Sequence, residues 1–147
     1  MVLIGSELTP FRAYLASLPA ADRHRLRVLG PVDDDVKRDA LAAATVFSMP
    51  SRTDSFGITY LEAWLYGRPV IGARTWGVMD LIDEGRDGLL VPFGDAPALA
   101  EKIAYLIDNP EEADRMGQNG RRKVYADHTW EHKCEMVEQI YSQLVRR

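Results

Sequence analysis

The sequence has few of the features that define disulfide-bonded, membrane-spanning or nucleic-acid-binding proteins. It has one cysteine in 147 residues, so no internal disulfide can form, and we expect a reducing, cytoplasmic location. No apolar run approaches the roughly 18 to 20 residues that span a bilayer, so we expect no transmembrane segment. The net charge is −4 and the basic residues are scattered. The one basic cluster, residues 121–123, reads as solvated surface, and we expect no nucleic-acid partner.

Several common ligand-binding motifs are also missing. No Gly-x-Gly-x-x-Gly follows the first apolar run and there is no P-loop, so NAD binding has little support. His128 and His132 are four residues apart, but no second pair of ligands accompanies them. Cys134 lies in a Glu-rich helical segment without an activating base. We therefore expect no metal, no cofactor and no thiol nucleophile.

What is present is the composition of one globular domain. Hydrophobic residues make up 46% and charged residues 27%, and a chain of this length buries roughly 70% of its unfolded surface. We expect a single domain over residues 1–147 with a helical tail over 95–147. Because an apolar strand already begins at residue 2, where a lead-in loop is usual, we also expect the domain to be truncated at its N-terminus.

Short apolar runs alternate with segments of helical periodicity. Strands are predicted at 2–5, 26–29, 46–49, 69–73 and 89–92, because each run is short and almost continuously apolar. Helices are predicted at 10–17, 33–44, 56–66, 78–83, 96–107, 110–125 and 130–145. This alternation predicts an α/β fold: a Rossmann-like, doubly wound parallel sheet of about five strands, with helices on both faces and a helical C-terminus.

Ligands of such sheets bind at the carboxyl ends of the strands, which selects the loops 5–7, 29–32, 50–57 and 73–80. The most informative stretch, 49–62, reads Met-Pro-Ser-Arg-Thr-Asp-Ser-Phe-Gly-Ile-Thr-Tyr-Leu-Glu. Gly57 in the first turn of a helix leaves amide groups open to an anion such as a diphosphate. Asp54 lies before that helix and Glu62 about two turns inside it, where carboxylates would accept hydrogen bonds from sugar hydroxyls. The alternative is that Asp54 is only a helix N-cap and Glu62 only a solvated residue.

The surrounding residues resemble a known signature. Residues 50–71 read Pro-Ser-Arg-x-Asp-x-Phe-Gly-x4-Glu-Ala-x3-Gly-x-Pro-Val-Ile, residues 77–80 read Gly-Val-Met-Asp, and residues 83–91 read Asp-x-Gly-x-x-Gly-Leu-Leu-Val. In this order they resemble the donor-binding, C-terminal half of the retaining glycosyltransferases of group 1 (family 4), which have the two-domain GT-B fold. Residues 28–32, Val-Leu-Gly-Pro-Val, resemble the family's loop beside the nucleotide base. The resemblance covers essentially the whole chain.

The resemblance implies a role for each matching residue. Glu62 would hold the ribose hydroxyls of the donor, and Asp54 would lie at the donor sugar as the catalytic-site carboxylate. The amides of Ser55, Phe56, Gly57 and Ile58 would meet sugar and phosphate. Gly77 and Val78 would form a second phosphate-facing loop, and Gly30, Pro31 and Val32 would border the base, although Gly30 and Pro31 fit an ordinary turn equally well.

The sequence departs from the family pattern at several positions. Asp54 is one methylene shorter than the family's glutamate, and Trp76 and Asp80 stand where the family usually has Gly and Glu. Trp76 is open to three interpretations: crowding the site, stacking on the donor, or a plain core or lid role. Glu7 stands where the family often has another Gly. The family's Gly-Arg-x5–6-Lys-Gly segment, whose cations neutralise the departing diphosphate, is not in this chain.

The resemblance implies the nucleoside-diphosphate-sugar-binding domain of a hexosyltransferase in glycan biosynthesis, acting without a metal on an unknown acceptor. Its partners would be the nucleotide-sugar donor and an N-terminal, acceptor-binding domain. Two alternatives are a non-catalytic nucleotide-sugar-binding module and a nucleotide-sugar epimerase of the same fold. Because half of an active-site cleft cannot hold donor and acceptor together, we expect the isolated chain not to transfer a sugar.

Overall fold

The computed structural model describes residues 1–6 and 8–145, and its contacts divide the chain into two compact units. The first unit is Met1–Ala43 and the second is Ala44–Arg147. Each unit alternates strands and helices, as the apolar runs predict. Within the described residues, no helix is both long and apolar enough to cross a bilayer.

Among its described residues, the first unit has two short parallel strands and three helices. Its elements are β1 (Val2–Leu3), α1 (Thr9–Ser17), α2 (Ala20–Arg23), β2 (Arg27–Val28) and α3 (Asp34–Ala43). Val2 pairs with Arg27, and Leu3 pairs with Val28. The Asp33 carboxylate accepts a hydrogen bond from the amide of Val36 at 2.9 Å, which stabilises the start of α3.

The second unit is built on a three-stranded parallel sheet. Its elements are β3 (Phe47–Met49), α4 (Ile58–Leu65), β4 (Val70–Ala73), α5 (Val78–Leu81), β5 (Gly88–Val91), α6 (Ala96–Asp108), α7 (Pro110–Asp127) and α8 (Trp130–Val145). The strand order is β3-β4-β5, so β4 is central. All four residues of β4 and of β5 are buried, which explains why their sequences are continuously apolar.

The α/β fold with parallel strands and helices on both sides is confirmed, with differences in detail. The five strands are hydrogen-bonded as a two-stranded sheet and a three-stranded sheet. Helix α2 has no counterpart among the predicted helices, because its four residues are too few to show a helical period. Helix α4 begins at residue 58 and not at 56, because Gly57 has φ +84°, a left-handed conformation that ends any helical path through it.

The core of the second unit lies between the sheet and the C-terminal helices. Its buried cluster consists of Ile71, Leu89, Val91, Leu106, Ala113 and Met116. Helices α6 and α7 supply the last three of these residues. Burial of this apolar surface, worth roughly 25 cal/mol per Å², provides the main stabilisation of the unit that carries the candidate site.

Two glycines allow α7 to approach α4 closely. A Cβ at Gly117 would lie 1.9 Å from the main-chain oxygen of Gly67, and a Cβ at Gly120 would lie 2.1 Å from the indole of Trp64. Trp64 is fully buried and donates from its indole nitrogen to the main-chain oxygen of Asp87 at 2.9 Å. This packing fixes α4, and therefore its N-terminus, against the body of the unit.

A buried ion pair adds to the packing of α7 against the second unit. The ammonium group of Lys123 lies 2.8 Å from a carboxylate oxygen of Asp87 and 3.0 Å from one of Asp83, and it donates to the main-chain oxygen of Leu81 at 2.6 Å. Burial raises the pKa of Asp87, although Lys123 opposes this. The hydrogen bond from Lys123 lowers the pKa of Asp83, which is far more exposed. Lys123 thereby connects α7 to the end of α5.

Candidate functional site

Three loops meet at one edge of the three-stranded sheet. Because β3, β4 and β5 are parallel, their carboxyl ends lie at the same edge. The guanidinium group of Arg52, after β3, lies 5.4 Å from the ring centroid of Phe93, after β5. The loop after β4 contacts the loop after β3 through Gly77. The candidate residues of this unit therefore lie in adjoining loops.

Gly77 is held against the main chain of the β3 loop. A Cβ at this position would lie 2.5 Å from the main-chain oxygen of Asp54 and 2.9 Å from that of Ser55. The residue also has φ +82°, which side-chain-bearing residues rarely adopt. The close contact and the positive φ each require glycine at position 77. The contact brings Gly77 next to Asp54 and Ser55, whose loops the sequence predicts at the same edge of the sheet.

Asp54 organises the turn that precedes α4. Its carboxylate accepts a hydrogen bond from the amide of Phe56 at 3.0 Å, and the residue is half-buried. The N-cap of α4 is Gly57, so the alternative in which Asp54 is the helix N-cap is wrong. Within the described residues, no side chain caps this N-terminus, and the first amide groups of α4 lack partners from a capping side chain. The amide of Phe56, which the sequence predicts to meet the ligand, is therefore already engaged by Asp54, whereas the amide groups at the start of α4 keep the character of an anion site.

Tyr60 anchors α4 to the end of β3, a role that the sequence does not indicate. Its hydroxyl donates to the main-chain oxygen of Met49, and its ring lies edge-on to Phe47 at 5.7 Å. A Cβ at Gly57 would lie 2.5 Å from this ring. Burial first, and then the charge of Asp54, raise the pKa of the Tyr60 hydroxyl above its usual range. No feature of the sequence identifies the hydrogen-bond partner of this buried hydroxyl.

Glu62 lies closer to the helix start than the sequence predicts. Since α4 begins at Ile58, Glu62 is its fifth residue, about one turn or roughly 6 Å along the axis and not two turns. The residue is half-buried and makes an interaction within the protein, so the interpretation as a purely solvated residue is wrong. It therefore lies within one helical turn of the uncapped N-terminus.

His128 contacts the site loop from the end of α7. Its ring lies edge-on to Phe56 at 5.7 Å, and its buried Nδ1 has no hydrogen-bond partner within residues 1–6 and 8–145. Burial, followed by the charge of Lys133, lowers the pKa of His128. In the same residues, no group of three or more His, Cys, Asp or Glu side chains is placed to hold a metal ion.

The other predicted site residues differ in exposure. Val78 is buried at the start of α5, and Ile58 is 66% exposed at the start of α4. Trp76 is 77% exposed, so the plain core role weighed for it is wrong. Asp80 is exposed as well.

The predicted base-binding residues belong to the first unit. Gly30 is buried with φ +67°, and its main-chain oxygen accepts a hydrogen bond from the amide of Gly5 at 3.0 Å. Pro31 is exposed and Val32 is half-buried. The left-handed conformation accounts for a glycine at this position after β2. Glu7, in the predicted loop 5–7, lies outside the described residues.

A parallel α/β sheet with an uncapped helix N-terminus at its carboxyl edge is an arrangement found in nucleotide-binding domains. The sequence defines the family more closely. Residues 1–123 match the family model described as glycosyl transferases group 1, and the chain belongs to this family.

The chain is also similar to individual members. It is 31% identical to a GDP-mannose-dependent monoacylated alpha-(1-6)-phosphatidylinositol monomannoside mannosyltransferase of Corynebacterium glutamicum, with 95% of this chain and 38% of that protein covered. The sucrose-phosphate synthase structure from Thermosynechococcus elongatus superposes with a TM-score of 0.85 at 30% identity, covering 99% of this chain and 38% of that one.

A third relative supports the fold alone. The Anabaena HepE structure in complex with UDP-glucose superposes with a TM-score of 0.78 at 23% identity, covering 96% of this chain and 40% of that one. Its similarity confirms the GT-B type of α/β fold that the motifs indicate. The chain spans between 28% and 38% of the length of the first curated relatives.

Proposed function

We propose that this chain binds a nucleoside-diphosphate sugar as the donor-binding part of a glycosyltransferase. The observation that carries the proposal is the contact of Gly77 with the main chain of Asp54 and Ser55. This contact places the loop after β4 directly beside the turn that leads into α4. A ligand at the N-terminus of α4 would therefore meet amide groups from both loops.

The diphosphate would lie at the N-terminus of α4. Two features support this position: the helix dipole, and the absence of a capping side chain in the described part of the chain. The stabilisation would come from oriented amide groups, so the proposal includes no metal.

Carboxylates on either side of the diphosphate would hold the two sugars of the donor. Glu62, one turn inside α4, would accept hydrogen bonds from the ribose hydroxyls. Asp54, whose carboxylate already accepts from the amide of Phe56, would use its remaining lone pairs for the donor sugar. Gly30, Pro31 and Val32 are assigned to the base on the family resemblance alone.

The names of the relatives leave the donor open within this class. One relative is GDP-mannose-dependent, and another was solved with UDP-glucose. We therefore propose a nucleoside-diphosphate hexose as donor. The same proposal includes hexosyl transfer in glycan biosynthesis and a cytoplasmic location. It also includes an acceptor-binding domain as partner, since the relatives are longer than this chain. The lone cysteine, Cys134, supports the location because it leaves no internal disulfide to form.

A non-catalytic nucleotide-sugar-binding module is the second candidate. The observation in its favour is that the carboxylate of Asp54, already one methylene shorter than the family's glutamate, is engaged by the Phe56 amide. The two candidates predict the same binding but differ in sugar transfer when the proposed acceptor-binding domain is present. Transfer assays with a mixture of acceptors therefore separate them.

Calorimetric titration of the 147-residue chain with UDP, GDP and ADP tests the shared claim. The proposal predicts saturable binding of at least one of these nucleotides. It also predicts that the nucleoside without phosphates binds far more weakly, because the oriented amides of α4 would have no anion. Absence of binding by all three diphosphates would contradict the proposal.

A further inference from the structure

Trp76 is the one large aromatic side chain of the loop between β4 and α5, and it is 77% exposed. Tryptophan is highly buried on average in folded proteins, and Trp64 in this chain is fully buried. Within the described residues, the Trp76 side chain makes no hydrogen bond, ring contact or cation–π contact. Its apolar surface is therefore exposed to solvent.

The main chain on both sides of Trp76 is fixed. The amide of Thr75 donates to the main-chain oxygen of Ala73 at 2.8 Å, and the amide of Met79 donates to that of Thr75 at 3.1 Å. The next residue, Gly77, is held against the main-chain oxygens of Asp54 and Ser55. The indole is thus attached to a hydrogen-bonded stretch of main chain that contacts the main chain of Asp54, the residue proposed for the donor sugar.

We infer that Trp76 stacks on the apolar C–H face of the donor's sugar ring; this inference rests on the proposed function. A hexopyranose presents C–H groups on one face and hydroxyls around its edge. The flat indole covers the face, while the neighbouring Asp54 accepts from the edge. The indole nitrogen, which has no partner among the described residues, is free to donate to a hydroxyl.

In this arrangement Trp76 contributes to recognition of the donor sugar and does not contact the nucleotide. The ring buries only when a sugar is present, so it adds affinity for the nucleotide sugar over the bare diphosphate. Trp130 offers a matched control because it is 83% exposed but lies at the start of α8. Both side chains are mostly solvated, so their removal is expected to leave the unfolding transition nearly unchanged.

The experiment compares Kd values for UDP-glucose against UDP, and for GDP-mannose against GDP, in the parent chain, Trp76→Ala, Trp76→Phe and Trp130→Ala. For whichever pair the parent binds, Trp76→Ala is expected to raise the Kd of the sugar nucleotide by about 3- to 10-fold, which is typical of the loss of an aromatic contact. The bare diphosphate should change by less than about twofold, Trp76→Phe should recover part of the loss, and Trp130→Ala should match the parent.

Each alternative outcome is informative. Equal losses for the sugar nucleotide and the bare diphosphate would overturn the inference, because the indole would then act on the nucleotide part or on the loop itself. A Trp76→Ala variant that binds the sugar nucleotide as tightly as the parent would overturn this inference alone. A parent chain that binds none of the four probes would overturn the proposed function and this inference together.

Discussion

Gly77 lies so close to Asp54 that a single added methyl group does not fit between the two loops. A Cβ at residue 77 would lie 2.5 Å from the main-chain oxygen of Asp54, a separation that real Cβ contacts essentially never show. The contact involves main-chain atoms on both sides, so no side chain can rotate away to relieve it. The relative position of the loops after β3 and β4 therefore depends on this glycine.

Gly77→Ala is expected to be more destabilising than Gly85→Ala. Both glycines have positive φ, +82° and +76°, but a Cβ at Gly85 would meet nothing within 4 Å. Gly85→Ala thus isolates the conformational cost, about 1 to 2 kcal/mol. Gly77→Ala should add about 1 to 3 kcal/mol for the forced contact and should also weaken diphosphate binding. Urea denaturation measures both changes, and equal free energies of unfolding for the two variants would contradict the contact.

Lys123→Met is expected to lower the free energy of unfolding by about 3 kcal/mol, because it leaves the Asp87 carboxylate buried and unpaired. Breaking such pairs costs about 3 to 5 kcal/mol, and the 20% exposure of the Lys123 side chain favours the lower end. Lys133→Met, an exposed position on α8, serves as control and should change stability by less than about 0.5 kcal/mol. Similar losses in the free energy of unfolding in both variants would contradict a stabilising role for the Lys123–Asp87 ion pair.

The stability of the chain is expected to fall below about pH 6.5, in part through His128. Burial lowers the folded-state pKa of His128 below its unfolded value of about 6.5, so the unfolded state binds more protons between the two values. The free energy of unfolding therefore decreases as the pH falls through this window. The residues facing the imidazole include Phe56, which is uncharged, and the charges that act on it come from Lys133, Asp127, Lys123 and His132.

Denaturation curves at several pH values check this expectation. His128→Phe should flatten the pH dependence of the free energy of unfolding below about pH 6.5. An unaltered profile in His128→Phe would show that burial of the imidazole contributes nothing to the acid sensitivity.

Asp54→Asn separates the two roles assigned to Asp54. Asparagine keeps an oxygen for the hydrogen bond from the Phe56 amide but removes the charge. If Asp54 holds the donor sugar, this variant should lose preference for the sugar nucleotide over the bare diphosphate with little loss of stability. Asp54→Ala should lose both the preference and about 1 kcal/mol of stability. Thermal melts and ligand titrations together distinguish the two roles. An unchanged preference for the sugar nucleotide in Asp54→Asn would show that the carboxylate only stabilises the turn before α4.

Much of the fold was predictable because the buried strands leave a strong pattern. Strands β4 and β5 are covered on both faces, and their continuous apolar runs locate them within one residue. The start of α4 was misplaced because periodicity does not reveal a left-handed residue such as Gly57. Contacts between loops are equally hidden from periodicity. The sequence places Gly77 and Asp54 on neighbouring loops, but only the structure shows that the main chains of the two residues touch.

Side-chain partners were the least predictable part of the site. Tyr60 appears in the sequence as one more apolar position of a helix, yet its hydroxyl fixes that helix to β3. In the sequence, His128 is a candidate only for metal binding, whereas in the structure its ring contacts Phe56. Both contacts join residues far apart in the chain, and no local pattern encodes them.

Binding of a nucleoside diphosphate by Glu62→Gln tests the central claim most directly. The substitution preserves the shape of the side chain but replaces the carboxylate that would accept the ribose hydroxyls. Loss of a charged hydrogen-bond acceptor is worth about 1 to 3 kcal/mol, or roughly a 5- to 150-fold increase in Kd. Glu101→Gln, at an exposed position on α6, is the control and should bind as the parent does. Calorimetry with the tightest-binding diphosphate is expected to show this loss in Glu62→Gln alone; equal affinity of Glu62→Gln and the parent would contradict the assignment of the donor site to α4.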